Sequence, residues 1–191
     1  MLFGDVGEYP ILMEDSDLVS FNGVIEGWRV PTLKLIRCDD TVFNNTWFEG
    51  LQSTSHVIKM EQSQDLEFNS CQLDFSFPYN DSFILVDNSI PDSDRRQEQT
   101  TMIRVNGGNL LLRSVGFGSR EEFVKTVNAS DRVSVLIDGT SFRGGSLFGS
   151  KNVNFDVKSI RLTRESVKFF YSLPNAIFNK EINSWMRGGL S

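Results

Sequence analysis

Cysteine, histidine and alanine are scarce in this sequence, and each shortage excludes a class of structure or site. The chain has two cysteines, Cys38 and Cys71, and a single histidine, His56. These residues provide neither a disulfide framework nor a four-ligand zinc site, so we expect no metal and no cofactor. Ala129 and Ala176 are the only alanines. Because alanine is the strongest helix former, this shortage argues against a mainly helical protein.

Basic residues and long apolar runs are also scarce. The chain has 19 Lys and Arg against 25 Asp and Glu, which gives a formal net charge of -6. A surface that follows nucleic-acid phosphates needs clustered Lys and Arg, so nucleic acid is not an expected partner. No apolar run reaches the roughly 18 residues of a membrane span, and the N-terminus lacks the pattern of a signal peptide. We expect no membrane span and no secretory signal.

The sequence does contain a spacing that recurs seven times, with an apolar or small residue at offsets 0, 2, 5 and 7. The clear copies begin at Thr41, Leu66, Leu110 and Val135, the weaker ones at Val19 and Phe155, and a seventh at Phe83. Most copies lie 20 to 25 residues from the next. Repetition at such a period predicts a solenoid, in which each unit is one coil that cannot bury its own apolar face.

Each copy has the pattern of a strand, a corner and a second strand. The apolar residues alternate with period two, as in a half-buried strand, and a polar or small pair separates them. The corner pairs are Asn44-Asn45, Asn69-Ser70, Arg113-Ser114 and Asp138-Gly139, with Asn22-Gly23 in the copy at Val19. Asn, Asp, Ser and Gly favour sharp bends. A further short apolar strand precedes each copy, so we expect three strands in each coil.

Stacked coils would align equivalent residues along the solenoid. We expect Asn22, Asn44, Asn69 and Asp138 to lie above one another at one corner. The fourth residues of the clear copies would form one inward file: Phe48, Leu73, Phe117 and Phe142.

Residues 41–50 and 135–144 resemble coils of the right-handed parallel β-helix, the pectin-lyase-like architecture of polysaccharide lyases, glycoside hydrolases, phage tailspikes and other virion proteins. The resemblance covers roughly residues 19–162. It implies an all-β fold, a short right-handed parallel β-helix of about six to seven coils. We expect residues 1–163 to form this domain and residues 164–191 to form a capping or assembly segment. The resemblance is specific for fold and leaves function open.

Three segments interrupt the spacing. Residues 87–101 contain Pro91 and a polar run, which predict an extruded loop. Ser119 to Glu122 has the pattern of a capping box, which predicts a short inserted helix at 119–128. In the C-terminal segment, Ser172, Pro174 and the apolar residues that follow predict a helical cap over the end of the β-helix.

The C-terminal segment has an alternative role as an assembly surface, because clustered aromatic side chains often mark contacts between proteins. The candidate interaction residues are Phe169, Phe170, Tyr171, Ile177, Phe178 and Trp185.

Glu49 and Asp74 are the candidate catalytic pair under an enzymatic alternative. Glycoside hydrolysis uses two carboxyl groups about 5 to 10 Å apart. Equivalent positions on adjacent coils, about 4.8 Å apart, suit that distance. Glu49 and Asp74 are equivalent in the repeat, but the next two copies have Gly118 and Arg143 there. We therefore assign no catalytic residue in the favoured interpretation. Trp47 is the candidate carbohydrate-binding residue.

The resemblance implies two functions of different classes. The favoured one is a non-enzymatic structural or attachment protein located in a virion, such as a capsid-decoration, fibre or tail-associated β-helix. Its partners would be copies of itself, with a homotrimer implied by the resemblance, and other virion proteins. The alternative is a small carbohydrate-active enzyme or carbohydrate-binding β-helix that acts on a polysaccharide, with a cytoplasmic location as the alternative to the virion. The sequence leaves both open.

Overall fold

The computed structural model describes residues 9, 11–26, 32–51, 56–77, 82–88, 100–114, 122–143, 152–159, 161–162 and 176–178. In these ranges all regular secondary structure is β-strand, and no helix occurs. Every strand pairing in them is parallel. The described part of the chain is therefore all-β with parallel sheets.

Successive strands pass through three sheets in turn. The strands are β1 (Ile11–Glu14), β2 (Asp17–Phe21), β3 (Val24–Glu26), β4 (Leu33–Ile36), β5 (Asp39–Asn44), β6 (Trp47–Leu51), β7 (Ile58–Glu61), β8 (Asp65–Asn69), β9 (Gln72–Phe77), β10 (Ser82–Asp87), β11 (Thr101–Asn106), β12 (Asn109–Ser114), β13 (Glu122–Thr126), β14 (Val133–Asp138), β15 (Ser141–Arg143), β16 (Val153–Lys158), β17 (Arg161–Leu162) and β18 (Ala176–Phe178).

The order of strands within the sheets repeats every third strand. Sheet A is β1-β4-β7-β10-β13, sheet B is β18-β16-β14-β11-β8-β5-β2, and sheet C is β17-β15-β12-β9-β6-β3. We call each A-B-C set of three strands a coil, so that β1 to β3 form coil 1 and β13 to β15 form coil 5. This topology is compatible with a parallel β-helix. The number of coils in the whole chain stays a prediction.

The core lies between the three sheets and is rich in phenylalanine. Phe43, Phe48, Phe68, Phe83 and Phe123 are all essentially inaccessible to solvent. Phe43 stacks on Phe68 of the next coil with ring centroids 5.5 Å apart, and Phe48 meets Phe43 edge-on at 5.1 Å. Offset and edge-on contacts of this kind add to the free energy of burying the rings. The aromatic side chains therefore join neighbouring coils as well as filling each one.

An asparagine ladder follows the corner between sheets B and C. Asn44, Asn69, Asn106 and Asp138 lie in register on β5, β8, β11 and β14. Asn69 Nδ2 donates to Asn44 Oδ1 at 3.2 Å, and Asn106 Nδ2 donates to Asn69 Oδ1 at 3.0 Å. The predicted alignment of Asn44, Asn69 and Asp138 is confirmed. Asn106 is a further member that the spacing did not identify.

The repeat copy that the sequence places at Leu110 is wrong in phase. Leu110 pairs with Leu73, the fourth residue of its copy, and Ile103 pairs with Leu66, the first. The unit therefore runs from Ile103 to Leu110, and its corner is Asn106 to Gly108 rather than Arg113-Ser114. Gly108 occupies the third position of this unit, where coils 2 and 3 have the side chains of Thr46 and Cys71, so the unit does not match the spacing. Phe117, predicted in the inward file, lies outside the described residues.

Two weaker copies are also corrected. In coil 1, Val24 pairs with Trp47 and Ile25 with Phe48, so Ile25 faces inward where the spacing predicted Glu26. The coil 1 corner is one residue shorter than its neighbours. The copy at Phe83 does not exist, because this segment is the sheet A strand β10, in which Ile84 pairs with Ile58.

The inserted helix predicted at 119–128 is wrong where the structure describes this segment. Glu122–Thr126 is strand β13, which pairs in parallel with β10 and buries Phe123 and Val124. Burial and ladder hydrogen bonds outweigh the local capping signal, since strand preference depends on tertiary context. The predicted loop at 87–101 is shorter, because Asp87 and Thr101 belong to β10 and β11, and residues 89–99 lie outside the described ranges.

The predicted C-terminal helix is wrong at the three residues that the structure describes there. Ala176–Phe178 is strand β18, which pairs in parallel with β16. Its ladder extends sheet B by one strand, so hydrogen bonds to β16 replace the local helical bonds that the apolar spacing suggested. The rest of 164–191 lies outside the described residues.

Two neighbouring glycines provide a matched test of the corner. Gly108 has φ +70°, and a Cβ there would overlap the carbonyl oxygen of Cys71. Gly107 has a similar φ of +67°, but the nearest atom to its added Cβ is Ser70 Oγ at 3.6 Å. We expect Gly107→Ala to lower the free energy of unfolding by about 1 kcal/mol, the penalty for left-handed backbone, and Gly108→Ala by about 3 kcal/mol or more. Urea denaturation followed by circular dichroism measures both, and equal losses would contradict the close approach at Gly108.

Candidate functional site

A row of outward side chains crosses sheet C next to its buried file. Ile25, Phe48, Leu73 and Leu110 are buried, so by strand alternation the residue before each faces outward. The row comprises Val24, Trp47, Gln72, Asn109 and Ser141, each in register with the next. We call this set the Trp47 row. It begins with two apolar side chains and continues with two amides and a hydroxyl.

The backbone around Trp47 is fixed by hydrogen bonds to the neighbouring coils. Trp47 N donates to Gly23 O at 2.9 Å, and Gln72 N donates to Thr46 O at 3.0 Å. Thr46 is buried, and its Oγ1 donates to Asn44 O at 3.1 Å. Phe48, directly after Trp47, is anchored in the core. Trp47 is therefore an exposed ring on a rigid support, the arrangement in which binding costs little conformational entropy.

Of the five large apolar side chains that are exposed among the described residues, three lie in coil 1, Trp47 lies beside them in coil 2, and Val127 lies apart after β13. Leu12 on sheet A is 57% exposed, Leu18 on sheet B 77% and Val24 on sheet C 53%, and Trp47 beside Val24 is 41% exposed. In coil 3 the outward side chains of described placement are polar: Lys59, Glu61, Asp65, Glu67, Asn69 and Gln72. Exposed apolar side chains that lie side by side, as those of Val24 and Trp47 do, usually mark a contact surface. We call Leu12, Leu18, Val24 and Trp47 the coil 1 surface.

A second outward feature is an ion-pair network on sheet A. Lys34, Lys59 and Leu85 lie in register, and Glu61 and Asp87 lie in the row beside them. Glu61 Oε1 is 3.0 Å from Lys34 Nζ and 2.5 Å from Lys59 Nζ, and Lys59 is also 3.4 Å from Asp87. Their side chains are 16 to 22% exposed. The network joins coils 2, 3 and 4.

The network shifts the ionisation of its members. Burial disfavours the Glu61 carboxylate, but hydrogen bonds and charges from Lys59 and Lys34 outweigh burial and lower the pKa of Glu61 below its ordinary value. Burial likewise disfavours the charged form of Lys59, but Glu61 and Asp87 together raise the pKa of Lys59. A shallow cavity of about 60 Å³ adjoins the network. It is lined by Ile36, Arg37, Glu61, Gln62 and Asp87.

The predicted catalytic pair lies on adjacent strands of sheet C. Glu49 belongs to β6 and Asp74 to β9. The last regular pair before them is Phe48 with Leu73, and the register then shifts before Leu51 pairs with Phe75. The structure describes the backbone of Glu49 and Asp74 but not their side chains, so a catalytic role for the two carboxylates stays a prediction. Among the described residues no group of three His, Cys, Asp or Glu side chains is arranged to hold a metal.

The predicted interaction residues are described only in part. Ile177 and Phe178 belong to β18, where their backbone lies opposite Asp156 and Val157. Phe169, Phe170, Tyr171 and Trp185 lie outside the described residues. The structure instead identifies Leu12, Leu18 and Val24 as exposed apolar residues, which the sequence analysis missed. For Leu12 a signal was present, because it is an apolar residue between two others, Ile11 and Met13, at an outward position of a strand.

Within the described residues, the structure contains no helix long and apolar enough to cross a membrane. No protein-family model, curated protein or solved structure matches this chain.

The ion-pair network predicts that the Glu61→Gln variant has a lower free energy of unfolding than the wild type, by an amount that depends on pH. Because the pKa of Glu61 is lowered on folding, its contribution is present above its unfolded pKa, near 4.5, and is lost as pH falls through the folded value. We expect Glu61→Gln to lower the free energy of unfolding by about 1 kcal/mol at neutral pH. The difference from wild type should shrink in acid, where the wild-type carboxyl is also neutral.

Asp156→Asn is the matched control for this measurement. Among the described residues, Asp156 has one ion-pair partner, Lys158 at 3.2 Å, and its side chain is 48% exposed. We expect Asp156→Asn to lower the free energy of unfolding by less than about 0.5 kcal/mol, as for ordinary surface ion pairs. Urea denaturation at several pH values compares the two. Equal effects at neutral pH, or an undiminished Glu61→Gln effect in acid, would contradict the network.

Proposed function

We propose that this protein is a non-enzymatic structural or attachment protein that acts through protein–protein contacts at its coil 1 surface. The observation that carries the proposal is the pair Val24 and Trp47, which are adjacent, in register and 53% and 41% exposed. Leu12 and Leu18 extend the apolar exposure to the other two sheets of the same coil. Tryptophan is enriched among the residues that dominate interface energies, especially on a rigid support.

We further propose that the three sheets form a right-handed parallel β-helix of the pectin-lyase-like type. The A-B-C recurrence and the parallel pairings support this interpretation. Parallel strands joined by a crossover are almost always connected in the right-handed sense. The ladder formed by Asn44, Asn69 and Asn106 supports regular stacking of the coils.

The proposed partners are further copies of this chain and other virion proteins. The resemblance to virion β-helices makes a homotrimer the expected assembly and capsid decoration, a fibre or a tail the expected setting. In a closed trimer, an apolar surface on each copy meets the neighbouring copies around the three-fold axis. The coil 1 surface, present once in each copy, is suited to such a contact.

Carbohydrate binding is a second candidate, favoured by the composition of the Trp47 row. A planar ring is followed in register by the amides of Gln72 and Asn109, at the strand spacing of about 4.8 Å. An aromatic face beside convergent polar groups is typical of sites that fix a small ligand. Under this candidate, Glu49 and Asp74 remain the proposed catalytic pair on a polysaccharide.

The assembly proposal is tested by the mass of the protein in solution. We expect light scattering across a dilution series to give a trimer or larger species for the wild type. Trp47→Ser should raise the dissociation constant at least about tenfold, because it removes the central aromatic side chain of the contact. Val127→Ser is the matched control: Val127, directly after strand β13, is 52% exposed but lies outside the coil 1 surface, and its substitution should leave the mass unchanged.

A wild-type monomer at every concentration would contradict self-assembly through this surface. Binding of polysaccharides to that monomer, lost in Trp47→Ser, would favour the second candidate. Turnover lost in the Glu49→Gln and Asp74→Asn double variant, with binding retained, would identify the carboxylates as catalytic.

A further inference from the structure

The chain contains the dipeptide Asn-Gly twice, and the two copies lie at the same corner of different coils. They are Asn22-Gly23 in coil 1 and Asn106-Gly107 in coil 4. In this dipeptide the backbone nitrogen of the glycine can attack the side-chain carbonyl of the asparagine, since glycine has no side chain to obstruct the approach. Whether the reaction proceeds in a folded protein depends on how firmly both groups are held.

Asn106-Gly107 is held on both sides. Asn106 Nδ2 donates to Glu67 Oε1 at 2.9 Å and to Asn69 Oδ1 at 3.0 Å, as part of the ladder. Gly107 N donates to Asp138 O at 2.7 Å. The attacking nitrogen and the leaving amide are therefore both fixed in hydrogen bonds to neighbouring coils. Reaction at Asn106 requires the ladder to open locally.

Asn22-Gly23 has no such restraint. Both residues are exposed, and a Cβ added to Gly23 would meet no atom within 4 Å. At the equivalent place in coils 2 and 3, Asn45 N and Ser70 N donate to the following coil at 2.9 and 2.8 Å. Within the described part of the chain, neither the side chain of Asn22 nor the N–H of Gly23 makes a hydrogen bond.

The cause is the short corner of coil 1. Asn45, Ser70 and Gly107 occupy the left-handed region, with φ of +47°, +52° and +67°, which turns their N–H groups toward the next coil. Gly23 has φ +148° instead, because one residue must connect Asn22 to Val24 where other coils use two. With this backbone, the N–H of Gly23 does not join the ladder in the described part of the chain.

We propose that Asn22 is a site of spontaneous deamidation. The nitrogen of Gly23 bonds to Cγ of Asn22, the Cγ–Nδ2 bond breaks, and the proton from the Gly23 nitrogen leaves with the amide as ammonia. Water then opens the cyclic imide at either carbonyl carbon and leaves an aspartyl or isoaspartyl residue at position 22. No oxidant, reductant or enzyme takes part.

The modification would act beside the coil 1 surface. Gly23 O accepts the hydrogen bond from Trp47 N, so the isoaspartyl product, which adds a methylene to the main chain, lengthens the backbone next to this contact. Either product also adds a negative charge beside Val24. The reaction itself depends only on the corner geometry and holds whether or not the proposed function is correct.

Peptide mapping by mass spectrometry tests the proposal. The intact protein is aged in mildly alkaline buffer at physiological temperature, and the acid forms at positions 22 and 106 are measured over time, with the isoaspartyl form resolved by chromatography. We expect deamidation at Asn22 to be about tenfold or more faster than at Asn106, because only Asn106 needs a local opening. The same mapping in concentrated urea should give similar rates at the two sites.

Asn22→Gln is the control variant. Its longer side chain would have to close a six-membered ring, so the signal at position 22 should disappear while the rate at Asn106 stays unchanged. Equal rates at Asn22 and Asn106 in the folded protein would overturn the proposal. An Asn22 that stays intact when folded, yet reacts in urea, would overturn it as well.

Discussion

The structure depends on the register with which each coil stacks on the next. In a parallel ladder the side chains alternate between faces, so a slip of one residue moves every inward residue outward. One register places Phe43 on Phe68, Asn44 on Asn69 and Phe48 on Leu73. The aromatic stack and the asparagine ladder each stabilise that register from a different place, the core and the corner. The outward position of Trp47 follows from it as well.

The parts of the fold that follow from local alternation were predictable from the sequence. Coils 2 and 3 have a side chain at every inward position, so Thr41, Phe43, Thr46 and Phe48 matched Leu66, Phe68, Cys71 and Leu73. The repeat unit of coil 4 was predicted in the wrong phase because its third position is Gly108, which packs at the corner against Cys71. A glycine has no side chain, so it does not contribute to an apolar pattern. Strand β13 was mistaken for a helix because Ser119 and Glu122 are a local signal, whereas pairing with β10 is a contact across the chain.

The candidate site was less predictable than the fold. Trp47 was recognisable as an outward aromatic residue, but Val24 was assigned to the core. Its exposure depends on the length of the coil 1 corner, which the repeat spacing assumed to be constant. Leu18 is exposed in left-handed backbone, with φ +55°, which no apolar pattern indicates. The residues of this surface are those that depart from the repeat, so the repeat spacing does not predict them.

One missing residue at the coil 1 corner accounts for two properties of that end of the chain. The repeat spacing predicted that Val24 is buried. Because Gly23 alone separates Asn22 from Val24, Ile25 faces inward instead and Val24 faces outward beside Trp47. The same shortening leaves Gly23 at φ +148°, so that its amide does not join the ladder. The exposed apolar pair and the unrestrained Asn-Gly dipeptide therefore have one structural origin. Because Val24 is already aligned with Trp47, a residue inserted after Gly23 would take the buried place that Thr46 has in coil 2. It should therefore protect Asn22 and leave Val24 outward beside Trp47.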